Sequence, residues 1–134
     1  MSKLFDNVLV KYTLDAEVYT TDTDATDYVD TLGFSDGMLL VAAGDIATTT
    51  GDVYTVTVWE CDTTNGTYTT TGIAVTFQNT DDNELRTARI ANLNTTRKRY
   101  LKAKLTMTGT TLSWEGAAMI LLGEGDSGPV TQDS

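Results

Sequence analysis

Apolar and polar residues alternate along most of this chain, in short runs that turn-forming residues separate. Between residues 53 and 61, Tyr54, Val56 and Val58 alternate with threonines, and a similar alternation runs from residue 100 to residue 108. A period of two is typical of strands that bury one face. No window of a dozen residues has helical periodicity, and threonine, a weak helix former that packs well in strands, makes up about a fifth of the chain. The pattern predicts an all-β protein.

Two stretches are apolar without alternation. Residues 37–43 predict a central strand that is covered on both sides, because a strand with two buried faces has no polar face to show. Residues 99–109 and 110–123 predict a hairpin of two strands that turns at Gly109. The second of these strands ends in the apolar run from Ala117 to Leu122, which we expect to be buried on both faces. The pattern leaves open whether that run belongs to the core or to an interface.

Turn signals recur at short intervals, as expected for a sandwich or a barrel. Asn65-Gly66 predicts a tight hairpin turn, since this dipeptide readily adopts positive φ angles. We therefore expect an all-β fold, a single-domain antiparallel β-sandwich that is jelly-roll-like and has about seven to nine short strands. Its expected organisation is an N-terminal arm over residues 1–7, the sandwich over residues 8–123 and a flexible C-terminal tail over residues 124–134.

Composition argues against an enzyme. The chain has no histidine and one cysteine, Cys61, so a Ser-His-Asp or Cys-His site cannot be built and a structural zinc site is excluded. No glycine-rich phosphate-binding loop is present. The pattern predicts no catalytic residues, no metal ligands and no cofactor, and Cys61 is expected to be a buried residue at the end of a strand.

Three weaker candidates for chemistry remain. Asp22, Asp24, Asp27 and Asp30 are close enough in sequence to ligate calcium, but they lack the spacing and the closing glutamate of an EF-hand, so a solvated loop is the alternative. Paired carboxylates for glycoside hydrolysis could be drawn from Asp81, Asp82, Glu84 and Glu115, although 19 acidic residues make such pairs unspecific. Trp59 and Trp114 could stack on a sugar, but Trp114 shares its phase with Ala118 and Ile120 and is expected to face the core.

The formal net charge is -10, which disfavours nucleic acid as a partner. Most of the nine cations form a basic strip between Arg86 and Lys104, whereas the first 62 residues contain many acids and only Lys3 and Lys11 as cations. The strip predicts either a solvated strand face or a contact with a neighbouring copy or an acidic assembly. No signal peptide is recognisable and no apolar run could span a bilayer, so we expect synthesis in a cytoplasm and no membrane partner.

Two segments resemble small structural proteins from the head gene clusters of tailed bacteriophages. One is residues 33–61, with Tyr28-Val29-Asp30 ahead of Gly37-Met-Leu-Leu-Val and then Tyr54-Thr-Val-Thr-Val-Trp-Glu. The other is Arg99-Tyr-Leu-Lys-Ala followed by Met119-Ile-Leu-Leu-Gly123. The resemblance implies a capsid decoration, or cement, protein that binds the outside of the phage head and stabilises it. The implied partners are the major capsid protein and copies of the chain itself, with a trimer preferred by analogy, and the implied location is the virion, after synthesis in the host cytoplasm.

Two sets of residues are expected to make the capsid or subunit contacts. Lys3, Leu4 and Phe5 place apolar groups on a free end, and Arg97, Lys98 and Arg99 could meet an acidic neighbour. The alternative functions are another virion component, such as a neck, tail or fibre-associated β-domain, and a carbohydrate-binding module. A carboxylate-based hydrolase is the only enzyme that the composition would permit.

Overall fold

The computed structural model describes residues 8–123, and these residues form nine β-strands and no helix. The strands, numbered in chain order, are β1 (Val8–Tyr19), β2 (Thr23–Asp24), β3 (Val29–Asp30), β4 (Asp36–Ile46), β5 (Val53–Cys61), β6 (Thr69–Gln78), β7 (Leu85–Ile90), β8 (Tyr100–Thr108) and β9 (Trp114–Gly123). Within this range no helix is long and apolar enough to cross a membrane. The arm predicted over residues 1–7 and the tail predicted over residues 124–134 lie outside the described residues.

The strands form two antiparallel sheets that pack as a sandwich, which confirms the predicted fold class. Sheet A has the order β1-β9-β4-β7, and sheet B has the order β2-β8-β5-β6, with β3 also pairing with β8. β2 and β3 pair with successive parts of β8 and act as one interrupted strand. Counted in this way, each sheet has four strands, and the eight together have the two-sheet arrangement of a jelly roll.

The core lies between the two sheets and is built from the predicted faces. On β5, Tyr54, Val56 and Val58 are fully buried, and the alternating threonines face outward, as expected. Trp114 is also fully buried, with its ring centroid 5.8 Å from that of Phe77 and 6.0 Å from that of Tyr19. Trp114 therefore faces the core, as its phase predicted. Cys61 is buried at the end of β5, in agreement with its expected role.

The predicted hairpin of the last two strands is wrong. β8 pairs with β5 in sheet B, whereas β9 lies between β1 and β4 in sheet A. Residues 109–113 therefore cross from one sheet to the other, and the apolar faces of β8 and β9 meet across the core instead of lying side by side. Periodicity could not show this, because a strand buries the same residues whether its neighbour in the chain is paired with it or packed against it.

Other boundaries also differ from expectation. The first strand, β1, is longer than the short strands expected for this fold, and it has shifts in register after Tyr12 and Leu14. β5 and β6 do form a hairpin, but neither Asn65 nor Gly66 has a positive φ, so the connection is a longer loop and not the tight turn that was predicted. The positive φ occurs instead at Gly72, within β6.

Thr13 joins the two sheets at the irregularity in β1. Its buried hydroxyl accepts a hydrogen bond from the Ala103 backbone N–H on β8 at 3.0 Å and donates to the Asp27 carbonyl at 3.3 Å. Ala103 lies opposite the gap between β2 and β3, and its carbonyl accepts from the Ala25 N–H at 3.0 Å. A side chain from sheet A thus satisfies a backbone donor that the interrupted strand of sheet B leaves without a strand partner.

Candidate functional site

The outward faces of the two sheets have different chemistry. The outward residues on the central strands of sheet B are mostly threonine and lysine, including Thr55, Thr57, Lys102 and Lys104. This is the usual pattern of an antiparallel sheet with one face on the core and one face in water. Sheet B therefore needs no further cover.

The outward face of sheet A is apolar, and we call it the apolar face. Strand register places its side chains in three rows that cross the sheet. In the strand order β1, β9, β4 and β7, the first row is Val10, Leu121, Met38 and Arg89, and the second row is Tyr12, Met119, Leu40 and Thr87. The third row, from β9 to β7, is Ala117, Ala42 and Leu85. No carboxylate stands in these rows, and a contiguous apolar surface of this kind marks an interaction site in soluble proteins.

The apolar runs of β4 and β9 were both predicted to be buried on two faces. Within the described residues, each of these strands has only one of its faces covered. The core cluster contains Ala118, Ile120 and Leu122 from β9, but not Met119 or Leu121. From Ala118 to Leu122 the run therefore alternates between core and surface, whereas Ala117 is buried on the outward side at 6% exposure. Within residues 8–123 the prediction of two-sided cover is wrong, since the outward residues of β4 and β9 are mostly only half-buried.

The apolar face is accessible at its edges. Tyr12 is 50% exposed and Leu85 is 62% exposed, while the central Met119 and Leu40 are half-buried by their neighbours in the rows. Its one charged side chain, Arg89, donates to the Asp36 carboxylate at 3.1 Å. The face consequently has almost no uncompensated charge, although the protein as a whole is strongly acidic.

The predicted contact residues Arg97 and Arg99 both have acidic partners within the chain. Arg97 lies 3.7 Å from the buried Glu60 carboxylate, and the Lys98 backbone N–H donates to the same carboxylate at 3.2 Å. Arg99 donates two hydrogen bonds of 2.8 Å to Asp30. These bonds hold the pKa of the Asp30 carboxyl below its ordinary value, helped by the Leu32 N–H, and the same pair raises the pKa of Arg99. Lys3, Leu4 and Phe5 lie outside the described residues.

The basic strip does not form one continuous patch. Arg86 and Arg89 are on β7 in sheet A, whereas Lys102 and Lys104 are on β8 in sheet B. Arg86 pairs with Asp81 at 3.2 Å and with Glu84 at 2.7 Å, and Lys104 lies 3.5 Å from Asp24. Much of the electrostatic complementarity predicted for neighbouring copies is thus satisfied inside one molecule.

The acidic residues 22–30 are spread over separate structural roles. Asp22 accepts a hydrogen bond from the Met107 N–H at 2.8 Å, Asp24 pairs with Lys104, and Asp30 pairs with Arg99. Among residues 8–123 no group of three or more histidine, cysteine, aspartate or glutamate side chains could hold a metal ion. The segment expected to be a loop includes β2 and β3, and its carboxylates stabilise their contacts with β8.

Trp59 is the tryptophan that faces outward, on sheet B. The Lys104 ammonium lies 3.8 Å from its ring centroid, and Lys102 lies 4.6 Å from the ring of Tyr68. Cations of the chain thus lie over both rings, in an arrangement that stabilises the strand pairing. With Trp114 in the core, the two tryptophans do not form a joint sugar-stacking platform.

The sequence predicted mainly charged residues as the contact site and did not predict that the apolar face would be a surface. The signal was present, because β4 and β9 lack a polar phase. Residues 8–123 contain no second covering layer, since they form two sheets and each sheet covers one face of the other.

No family model matches the chain, and no curated protein matches it. Among solved structures, a chain in "Structure of infectious bursal disease virus Gx strain" matches with a TM-score of 0.53 and 12% identity, covering 90% of this chain and 32% of that chain. A chain of Desmodium yellow mottle tymovirus matches with a TM-score of 0.40 and 13% identity, covering 95% and 89%. Eiger TNF from S. frugiperda matches with a TM-score of 0.35 and 12% identity, covering 96% and 92%.

The first of these similarities supports the fold. This chain spans about a third of the length of the bursal disease virus chain and is similar to that part of it in fold, at an identity that shows the fold alone. The other two have TM-scores below 0.5 and support no inference. Because one fold hosts many functions, this similarity does not assign a function to the chain.

Proposed function

We propose that this protein is a non-enzymatic virion structural protein that decorates and stabilises the outer surface of a tailed-phage capsid. The observation that carries the proposal is the apolar face of sheet A, which the described chain leaves without cover. A protein that works alone in solution gains nothing from a row such as Tyr12, Met119 and Leu40 on an open sheet. A protein that works in an assembly buries such a row against a neighbour.

Two further observations support this assignment. The resemblance of residues 33–61 and 99–123 to phage head proteins supports a tailed-phage head as the type of particle, and the jelly-roll fold is one that viral capsid domains use. Several charged side chains are engaged in ion pairs within the chain, such as Arg99 with Asp30 and Arg97 with Glu60. A decoration protein needs rigidity and repeated weak contacts over a lattice, and avidity then gives stable attachment.

The proposed partners are the major capsid protein and further copies of the same chain. Lys3, Leu4 and Phe5 are proposed to contact the capsid shell. Arg97, Lys98 and Arg99 are proposed to meet an acidic neighbour, with Lys98 as the member that forms no ion pair among residues 8–123. Synthesis would take place in the host cytoplasm, and the mature location is the outer surface of the head.

The test is cryo-electron microscopy of the source particle together with a binding assay on stripped capsids. Regular density in many copies on the outside of the head is the expected result. Density only at the neck or tail would replace decoration by one of those roles, and absence of the chain from the particle would refute a virion function. Deletion of residues 2–6 should abolish capsid binding while the melting temperature stays unchanged, and undiminished binding would exclude the arm as the contact.

A further inference from the structure

We infer that the apolar face is covered by the apolar face of a second copy of this chain, so that the protein forms a two-fold dimer through sheet A. This inference rests on the proposed function, in which the protein works in an assembly, and it names the partner at that surface. Sheets that pack face to face are the means by which this fold already builds its own core. A second copy repeats that packing on the outside.

Charge favours a second copy at this face over other parts of the surface. Two molecules with a formal net charge of -10 each repel one another wherever their acidic surfaces meet. The rows of the apolar face contain no acid, and Arg89 is already paired with Asp36 at 3.1 Å. Bringing two such faces together therefore buries no unpaired charge.

The face also offers little that would recognise a polar partner. In its three rows only Arg89, Thr87 and Tyr12 carry polar side-chain groups, and all three stand on the edge strands β7 and β1. The central strands β9 and β4 contribute methionine, leucine and alanine only. Such a surface fits an equally apolar and equally flat surface, and the identical face of another copy meets that requirement through two-fold symmetry.

The dimensions match a reversible dimer. Four strands about 4.8 Å apart and three rows about 7 Å apart give a face of roughly 400 Å² in projection, of which the nine apolar side chains cover about 300 Å². A stable interface buries about 800 Å² on each partner, with an apolar centre and a polar rim. The apolar rows would therefore form the centre of such an interface, with the ends of β1 and β9 as its rim.

The first experiment measures the mass of the purified full-length protein by sedimentation equilibrium across a wide concentration range. The expected mass rises from 14.5 kDa toward twice that value. Higher salt should shift the equilibrium toward the dimer, because salt screens the repulsion between two acidic molecules. In Leu40→Glu the dimer should weaken by roughly tenfold or more, since a carboxylate would be buried at the centre of the interface. Thr57→Glu makes the same charge change on a central strand of sheet B and should leave the dimer unchanged.

A second measurement needs no variant and decides the question if Leu40→Glu fails to fold. Met38 and Met119 lie on the apolar face, and Met107 lies in the core. Mild peroxide treatment followed by mass spectrometry should show that oxidation of Met38 and Met119 slows as concentration rises, while Met107 stays slow throughout. A mass of 14.5 kDa at every concentration, a trimer, or a dimer with unprotected Met38 and Met119 would overturn the inference.

The two proposals can fail separately. A chain that is monomeric in solution but occupies the capsid in many copies would refute the dimer and leave decoration intact. Protection of Met38 and Met119 from oxidation only on the particle would assign the apolar face to the capsid protein. A chain that forms the dimer but is absent from the particle would refute decoration and leave the dimer intact.

Discussion

Replacement of Thr13 by valine tests the link between the two sheets. Valine has nearly the shape of threonine, so the substitution removes the hydroxyl without opening a cavity in the buried site. The Ala103 N–H loses its acceptor at 3.0 Å and has no strand partner in the gap between β2 and β3. A buried donor left without an acceptor costs about 1–3 kcal/mol, and the added methyl group offsets up to about 0.8 kcal/mol of this. We expect a net loss of about 1–2 kcal/mol in the free energy of unfolding.

The assay is urea unfolding with thermal melts, in which a loss of this size lowers Tm by about 3–8 °C for a domain of this length. Thr55→Val is the matched control, because the Thr55 hydroxyl faces outward and its hydrogen bond of 3.3 Å is to the exposed Thr76 hydroxyl. That control should change stability by less than about 0.5 kcal/mol. Thr13→Ser keeps the hydroxyl and should keep the Ala103 amide protected from hydrogen exchange, whereas Thr13→Val should expose it. Equal stability of Thr13→Val and wild type would refute the proposed role of this side chain.

Three further predictions concern charge and backbone. Arg99 lowers the pKa of Asp30, so their pair stabilises the fold above about pH 4, and that contribution is lost as pH falls through the lowered pKa. Arg99→Gln should therefore be less stable than wild type at pH 7, and urea titrations should show this difference in unfolding free energy shrinking in acid. A difference that does not depend on pH would contradict the ion pair. Gly109 has a φ of 144°, and the Cβ that an alanine would add at this position would strike the Asp52 carboxylate. Gly109→Ala should therefore lower Tm by several degrees, and an unchanged Tm would show that the connection between β8 and β9 adapts freely. Lys98 forms no ion pair among residues 8–123, so Lys98→Glu should reduce capsid occupancy at moderate salt without lowering Tm, and undiminished occupancy would exclude it as a contact.

The sequence predicted which residues of each strand are buried, because a period of two depends only on local geometry. It predicted the core phase of Tyr54 and Trp114 for that reason. It did not predict strand partners, since β8 and β9 have compatible patterns for a hairpin and for packing across a core. The choice between the two depends on β1, β4 and β5, which lie far away in sequence and compete for the same edges.

The sequence predicted only part of the candidate site, because the rest depends on contacts between segments that are distant in sequence. Clustered cations such as Arg97 and Arg99 are conspicuous in a sequence, but their acidic partners Glu60 and Asp30 come from distant segments and cannot be assigned from spacing. The apolar run of β9 was also conspicuous, and its burial on two faces was the natural expectation. Only the arrangement of the two sheets shows that residues 8–123 supply no second layer over this face.

The position of β9 in sheet A has a consequence for the order of folding. β9 lies between β1 and β4, which do not pair with each other, so sheet A cannot assemble until the ninth strand has left the ribosome. The hairpin of β5 and β6, by contrast, pairs residues that are near in sequence and can form early. The apolar face thus comes into existence only when folding is complete, and nascent chains on one messenger RNA present no finished surface through which they could associate prematurely.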